Sequence, residues 1–205
     1  YCYLPIDTLR FCKSYSQNKK LSVMINSKDV DEKTVVDLLA PCCGYIDMVR
    51  IATRPTELSK AHSLARIIKH MGFTVCLNVM YMSTWKQING FYDDLSQLDG
   101  VVDYICMVDS YGSVLPDEIP AIIEEIRQHT SVPLCFHGHQ NMELAFANTL
   151  KAIDCDCQIV DSTITGMGRG AGNLKTELLL TYLSSLGEDI PFHSLNTLID
   201  EFERL

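Results

Sequence analysis

Residues 134–148, LCFHGHQNMELAFAN, contain a short apolar run, two histidines separated by one glycine, and the beginning of a helical pattern. The residues before them, SVP, extend the apolar run, so the segment predicts a buried strand that ends at the histidines. Side chains two residues apart in a strand point to the same side, so Cys135, His137 and His139 share one face. The two imidazoles would lie about 7 Å apart along the strand, where both could bind one divalent cation.

The His-Gly-His pattern has a structural alternative. One histidine could make a hydrogen bond at the end of the strand, and the other could lie in a loop. That alternative is favoured for a single histidine, whereas two histidines at the carboxyl end of a predicted parallel strand favour a metal site, because active sites of parallel α/β folds lie there. Gly138 would keep the backbone between the histidines open to a ligand.

Apolar runs alternate with amphipathic helical stretches along the whole chain. The predicted strands are residues 20–26, 44–52, 73–82, 103–110, 131–139 and 157–164, and the main predicted helices are residues 29–41, 55–72, 116–130, 141–154 and 173–187. This alternation predicts βαβ units and a parallel sheet. Six units fit either a doubly wound sheet or most of a (βα)8 TIM barrel. Because no linker or low-complexity tract interrupts them, we expect residues 1–205 to form a single domain.

Composition limits the class of function. The net charge of −9 over 205 residues argues against nucleic acid or an anionic membrane as a partner. No apolar run approaches the roughly 20 residues that span a bilayer, and no signal peptide is visible. Most of the nine cysteines lie inside apolar runs, which is typical of a reducing compartment and predicts a cytoplasmic protein. A thiolate metal site is disfavoured because no CxxC pair occurs.

Polar residues occur in or at the end of several other predicted strands. They are Arg50, Asn78, Asp109, Ser110 and Asp161. Such residues at the carboxyl ends of parallel strands indicate a binding site, so Asn78, Asp109 and Ser110 are candidate substrate-binding residues. Each signal is weak alone, because Asp109 could equally orient a loop and Arg50 could equally make a structural ion pair.

A glycine-rich loop, TGMGRGAGN (165–173), follows the last predicted strand and precedes a helix. Exposed backbone N–H groups in such a loop suit a carboxylate or phosphate, and Arg169 adds a positive charge, so Arg169 is a further candidate for substrate binding. The loop is not GxGxxG, which argues against a dinucleotide. Two structural alternatives stay open, a tight connection for the loop and a helix N-cap for Asn173.

Three ordered motifs carry a family resemblance. HGHQNMELAFANTLKAI, VDSTITGMGRGAGNLKTELL and MVDSYGSVLPDEI resemble the metal-dependent aldolase and Claisen-condensation superfamily, also described as the DRE-TIM metallolyases or HMG-CoA lyase-like proteins. The shared features are HxH with a small-residue helix, a glycine-rich GAGN loop, and Asp-Ser-x-Gly followed by proline and acids. The resemblance is strongest over about residues 100–190, and it is closest to the 4-hydroxy-2-oxovalerate aldolase branch.

The resemblance implies a (βα)8 barrel with its site at the carboxyl ends of the strands. It implies Mn2+ or Mg2+ bound by His137 and His139, with Asn173 as a further ligand, and Ser110 near a substrate carboxylate. It implies cleavage of a 4-hydroxy-2-oxoacid to pyruvate and an aldehyde through a metal-stabilised enolate. The relatives also suggest a homo-oligomer and, for some members, an aldehyde dehydrogenase partner.

One family feature has no match in this sequence. The Arg-Asp pair of the family's first strand, which supplies a third metal ligand and the enolate-stabilising arginine, is absent, because no Asp follows Arg10. The catalytic residues are therefore left unassigned. Only six of the eight βα units are visible, so we expect the domain to be incomplete at its N-terminus, without its first two strands.

Two other functions stay open at this stage. A Claisen-type acyltransferase, similar to isopropylmalate or citramalate synthases, would condense acetyl-CoA with a 2-oxoacid at the same metal site. A non-catalytic barrel fragment would bind or interact without turnover, and the missing Arg-Asp pair favours it.

Overall fold

The computed structural model of the chain describes residues 4–16 and 18–204. Strands and helices alternate along it, as the sequence predicts. The strands are β1 (Ser22–Asn26), β2 (Met48–Thr53), β3 (Thr74–Val79), β4 (Tyr104–Asp109), β5 (Leu134–Gly138) and β6 (Ile159–Val160). The α-helices are α1 (Ile6–Tyr15), α2 (Glu32–Leu39), α3 (Leu58–His70), α4 (Phe91–Ser96), α5 (Ile119–Arg127), α6 (Ala145–Asp154), α7 (Thr176–Ser185) and α8 (Phe192–Phe202).

The six strands follow one another in one sheet in the order of the chain. The pairs β1–β2, β2–β3 and β5–β6 are parallel, and in the last pair Cys135 lies opposite Ile159 and Phe136 opposite Val160. Strands β3, β4 and β5 are buried along most of their length. Burial on both faces explains why they appear in the sequence as continuous apolar runs. The predicted parallel α/β sheet is confirmed.

The chain divides into two compact units. Unit 1 consists of the residues up to Met80, Thr84–Cys106 and Ile126–Pro133. In unit 1, α3 packs on β2 and β3 through residues spaced three or four apart, which form one helix face. Those buried residues are Leu58, Ala61, Leu64, Ala65 and Ile68. Helix α2 begins at Asp31, whose carboxylate accepts the backbone N–H groups of Lys33 and Thr34.

Unit 2 consists of Tyr81–Ser83, Met107–Glu125 and the chain from Leu134 onward. Helix α6 packs against β5 within this unit. Its buried core contains Ala145, Leu174 and Leu179, and the partly buried side chains of Phe146, Val160 and Leu183 pack against them. This packing fixes the backbone of β5 and of the segment before α7, the two places from which the candidate metal ligands project.

Strand β6 and helices α6 and α7 of unit 2 are shorter than the sequence predicts. Strand β6 contains two residues, helix α6 begins at Ala145 instead of residue 141, and helix α7 begins at Thr176 instead of residue 173. Before α6, the backbone turns through Glu143, which has a φ of +58°, and the Glu143 N–H donates to the Gln140 carbonyl. Before α7, Asn173 pairs with His139 in an isolated antiparallel bridge.

Among the described residues, no helix is both long and apolar enough to cross a membrane. The expectation of a single, N-terminally incomplete domain stays a prediction.

Candidate metal centre

Strand β5 brings two histidines of unit 2, His137 and His139, together. His137 lies within the strand, Gly138 ends it, and His139 follows directly. The imidazole centroids are 4.9 Å apart and the ring planes meet at 76°. A Cβ at position 138 would lie 3.0 Å from the Phe136 ring and 3.3 Å from the Cα of Ala145. The glycine is therefore explained by the close approach of α6, which a larger side chain would hinder.

The His137 ring is oriented by Asp161. Its Nδ1 lies 2.8 Å from Oδ2 of Asp161, and both side chains are mostly buried. The register of β5 and β6 places these residues side by side, since Phe136 lies opposite Val160 and the Asp161 N–H donates to the Phe136 carbonyl. Because a carboxylate accepts hydrogen bonds, Nδ1–H donates and the Nε2 of a neutral ring keeps its lone pair for a ligand.

The His139 ring is oriented by the backbone of β4. Its Nδ1 lies 2.9 Å from the Asp109 carbonyl oxygen, which can only accept, so Nδ1–H again donates and Nε2 is the acceptor nitrogen. Burial lowers the pKa of His139, the hydrogen bond to Asp109 opposes that shift, and the neighbouring His137 lowers the pKa further. Each cause that lowers the pKa favours the neutral imidazole, which is the form that binds metals.

The backbone of Asn173 lies beside His139, and its side-chain amide packs against Gly168 of the glycine-rich loop. Its backbone bridges to His139, and its Nδ2 donates to the Met167 carbonyl over 3.0 Å. Its Oδ1 is buried and has no hydrogen-bond partner within the described part of the chain. Such a group is costly to bury without a partner, and an amide oxygen is a normal ligand of Mn2+ or Mg2+. Asn173 is not the N-cap of α7, because its backbone is used in the bridge and the helix begins at Thr176.

These donors fit a divalent ion. Two imidazoles with their Nδ1 atoms held, and one buried amide oxygen without a partner, form a ligand set of nitrogen and oxygen. Within residues 4–16 and 18–204, no group of three or more His, Cys, Asp and Glu side chains is placed to hold a metal ion. The candidate centre of unit 2 is therefore the set of His137, His139 and Asn173.

Asp109 organises the loop that follows β4. Its carboxylate oxygens accept the backbone N–H groups of Ser113 and Val114, each over 3.2 Å. Burial raises the pKa of Asp109, and these hydrogen bonds oppose the shift. The buried Asn148 of α6 supports the same loop by donating to the Val114 carbonyl. These contacts belong to the loop-orienting alternative, and the substrate-binding role of Asp109 stays a prediction.

Ser110 is next to Asp109 and half-buried. Its Oγ accepts the backbone N–H of Tyr81 over 2.9 Å. Because that contact uses an acceptor position of the hydroxyl, the hydroxyl hydrogen can still donate to an anionic oxygen. Sequence reasoning missed this contact because it depends on the fold and on the backbone of a residue that carries no motif.

The glycine-rich loop is closed by its own backbone. The N–H groups of Gly166 and Met167 donate to Thr163 and Ile164, and the N–H of Asn173 donates to Gly166. At Gly172, whose φ is +90°, a Cβ would lie 2.3 Å from the Gly166 carbonyl oxygen. The loop is thus a tight connection that shapes the backbone before Asn173. Arg169 is exposed on it, and its role in substrate binding stays a prediction.

Asn78 lies in unit 1, in a polar group that we call the Arg50 cluster, which consists of Arg50, Cys76, Asn78 and Cys106. Arg50 Nε donates to Asn78 Oδ1 over 3.0 Å, and its Nη2 donates to Cys106 Sγ over 3.2 Å. The Cys76 thiol lies 3.6 Å from the same Asn78 oxygen. These contacts tie Asn78 to the Arg50 side chain, and the substrate-binding role of Asn78 stays a prediction.

A comparison with known families identifies the chain. The sequence model of the HMGL-like family matches residues 35–201. The chain belongs to the HMGL-like family. The predicted recognition is confirmed, and membership places the chain in a lyase superfamily.

Two named relatives and one solved structure support this membership. The 4-hydroxy-2-oxovalerate aldolase of Carboxydothermus hydrogenoformans is 33% identical over 182 residues, which are 88% of this chain and 53% of that protein. The protein of the same name from Bacillus cereus is 27% identical over 95% of this chain and 61% of that protein. The crystal structure of the N-terminal domain of a candidate aldolase from Bacteroides vulgatus matches with a TM-score of 0.94 and 44% identity, over 98% of this chain and 67% of that one.

A more distant structure shows the fold alone. The carboxyl transferase domain of Rhizobium etli pyruvate carboxylase matches with a TM-score of 0.76 at 15% identity, over 89% of this chain and 33% of that one. Together with the HMGL-like match, these structures confirm the prediction of a TIM-barrel fold class with six βα units visible. The chain spans about half the length of the curated relatives named above.

Proposed function

We propose that the full-length protein is a divalent-metal-dependent aldolase, a carbon–carbon lyase that cleaves a 4-hydroxy-2-oxoacid to pyruvate and an aldehyde. The observation that carries the proposal is the pair of His137 and His139, whose rings are 4.9 Å apart with both Nδ1 atoms held by oxygen acceptors. The HMGL-like match and the relatives named as aldolases support the same reaction class.

Each residue of the site has a proposed role. His137, His139 and Asn173 would hold Mn2+ or Mg2+, which when bound supplies Lewis-acid chemistry where negative charge develops. Asp161 holds the His137 ring in the tautomer that leaves Nε2 available. Ser110, whose Oγ already accepts from the Tyr81 N–H, donates its hydroxyl hydrogen to a carboxylate oxygen of the substrate.

The remaining candidates act on the oxoacid or on the loops around it. The exposed Arg169 adds positive charge that attracts the substrate carboxylate, and Asp109 holds the loop that carries Ser110. In the reaction, a general base takes the proton of the 4-hydroxyl, the aldehyde carbonyl forms at C4 as the C3–C4 bond breaks, and the electron pair of that bond becomes an enolate that is protonated at C3 to give pyruvate. A preorganised ring of donors lowers the cost of that charge.

The proposal extends to the cellular context. We place the enzyme in the cytoplasm as a homo-oligomer, with an aldehyde dehydrogenase as the partner that would consume the aldehyde. The cysteine-rich apolar runs support the reducing compartment.

The test uses the full-length protein supplied with Mn2+. Pyruvate release from 4-hydroxy-2-oxovalerate is measured with a coupled lactate dehydrogenase assay, and thiol release from acetyl-CoA with a 2-oxoacid is measured in parallel. Pyruvate without thiol release supports the aldolase. Thiol release without pyruvate would replace it with the Claisen-type acyltransferase, and neither product, at full occupancy with Mn2+, would contradict both reactions.

A further inference from the structure

Two tyrosines of unit 2 form an aromatic pair that the proposed chemistry does not use. The rings of Tyr81 and Tyr111 have centroids 5.3 Å apart, with their planes tilted by 36°. Tyr81 follows β3 and Tyr111 follows β4, so each lies just beyond the carboxyl end of a parallel strand. Tyr111 is 53% exposed, so much of its ring is open to a ligand.

The backbone of Tyr81 is strained. Its φ is +61°, a conformation that a bulky L residue rarely adopts. The strained residue directs its N–H to Ser110 Oγ and its ring to Tyr111. Strain of this kind is kept mainly at functional sites, where the surrounding structure holds it.

Direct contacts connect Tyr111 to the candidate metal centre. On its N-terminal side, Ser110 follows Asp109, whose carbonyl orients the His139 ring. On its C-terminal side, a Cβ at Gly112 would lie 2.6 Å from the His139 carbonyl oxygen, so the two backbones are in close contact. Tyr111 therefore lies in a short segment between Asp109 and Gly112, which both contact His139.

Two further apolar side chains lie on the loops of the same unit. Met142 is 54% exposed in the loop after β5, and Met167 is 62% exposed in the loop after β6. The Met167 carbonyl accepts a hydrogen bond from the Asn173 side chain. The loops after β5 and β6 therefore carry large apolar side chains at exposed positions.

We propose that Tyr81 and Tyr111 are specificity-determining residues that select substrates with a large apolar or aromatic substituent at C4, the carbon that becomes the aldehyde. This inference rests on the proposed aldolase function. The oxoacid end of the substrate carries all of the anionic oxygens and needs the polar donors. The substituent at C4 carries no charge, and the two tyrosine rings would stabilise an apolar or aromatic substituent there by burial and by ring contacts. Tyr111 occupies the variable position of the Asp-Ser-x-Gly segment, where the turn itself does not require an aromatic residue.

The test compares two substrates with the full-length protein and Mn2+. One is 4-hydroxy-2-oxovalerate, with a methyl group at C4, and the other is 4-hydroxy-2-oxo-4-phenylbutanoate, which yields pyruvate and benzaldehyde. The wild-type protein should have the higher kcat/KM for the phenyl substrate. Tyr111→Ala should lower the phenyl-to-methyl ratio of kcat/KM about tenfold, chiefly through KM, whereas Tyr111→Phe should keep the ratio within about twofold.

A second variant and a control complete the test. Tyr81→Gly removes the ring at a residue whose positive φ glycine adopts without strain, and it should lower the same ratio. Tyr15→Ala is the control, because Tyr15 is also exposed and in a tilted ring pair, with Phe11 at 4.8 Å between centroids, but lies on α1 of unit 1. It should leave the ratio unchanged.

The two proposals fail in different ways. Pyruvate from both substrates with no phenyl preference, or an equal loss for both substrates in Tyr111→Ala, would overturn the specificity role and leave the aldolase standing. No pyruvate from either substrate with the wild-type protein would overturn the aldolase and this inference together.

Discussion

The Arg50 cluster of unit 1 and the histidine pair of unit 2 are both polar groups on parallel strands of largely apolar sequence, but their hydrogen bonds end differently. In the cluster, Arg50 donates hydrogen bonds to Asn78 and Cys106, two other side chains of the same group. At the pair, the bonds to Asp161 and to the Asp109 carbonyl hold one nitrogen of each ring. The second nitrogen of each ring is left for a ligand.

This difference separates a structural polar group from a binding site more sharply than residue type does. An arginine inside a sheet suggests anion binding, and Arg50 donates to an amide oxygen and a thiol sulfur of its own cluster. A histidine suggests many roles, yet two adjacent rings that are both held through Nδ1 have a narrow use, and Asn173, whose backbone pairs with His139, has a buried amide oxygen without a partner among the described residues. Substitutions at the histidine pair of unit 2 should therefore alter ligand binding, whereas substitutions in the Arg50 cluster should alter the free energy of unfolding.

The largest effect is expected from removing a metal ligand. His137→Ala or His139→Ala should weaken Mn2+ binding by at least about a hundredfold and reduce pyruvate formation to a similar extent. Removing a residue that only orients a metal ligand typically weakens metal binding about 10–100-fold, and removing the ligand itself should weaken it at least as much. Titration calorimetry gives the affinity and the coupled assay gives the rate. His193→Ala, an exposed histidine of α8, is the control and should change neither. Full Mn2+ affinity in both site variants would remove the histidines from the centre.

A smaller effect is expected from the residue that orients His137. Asp161→Ala should weaken Mn2+ binding about 10–100-fold, because the ring loses the acceptor that fixes its tautomer. Asp161→Asn keeps an acceptor oxygen and should lose less affinity than the alanine variant. Asp154→Ala changes an exposed carboxylate at the end of α6 and should have no effect. Equal losses in the alanine and asparagine variants would show that Asp161 acts through its charge instead of through orientation.

The smallest effect on function is expected in the Arg50 cluster. Arg50→Met should lower the free energy of unfolding by about 1–3 kcal/mol, because the buried Asn78 oxygen loses its charged donor. Urea unfolding measures the change. Arg204→Met is the matched control, since Arg204 and Glu201 are both largely exposed and such pairs contribute little. An Arg50 variant with unchanged stability and weaker Mn2+ binding would reverse the comparison between the two units.

The sequence was sufficient to predict the sheet and the histidine pair. Buried parallel strands appear as apolar runs, and the alternation of side chains along β5 places His137 and His139 on the same side. The pairing of His137 with Asp161 was harder to predict. Asp161 was visible as a polar strand end, but its partner follows from the register of β5 and β6, which a single sequence does not fix.

The errors at the starts of α6 and α7 have a common physical reason. Both predicted starts follow the local helical pattern, whereas the structure uses those residues to shape the site. Glu143 takes a positive φ in the turn after the histidines, and Asn173 bridges to His139 before α7 begins. Tertiary contacts thus override helix propensity at the two segments that flank the ligand set.

The most direct test of the central claim is the metal dependence of pyruvate release by the full-length protein. The protein is treated with excess chelator, freed of it by dialysis, and assayed with 4-hydroxy-2-oxovalerate before and after addition of Mn2+ or Mg2+. The account predicts that pyruvate release falls to background after chelation and returns when either ion is restored, in the wild-type protein but not in His137→Ala. Pyruvate release that persists unchanged through chelation, or that His137→Ala retains in full, would contradict a metal-dependent aldolase built on this histidine pair.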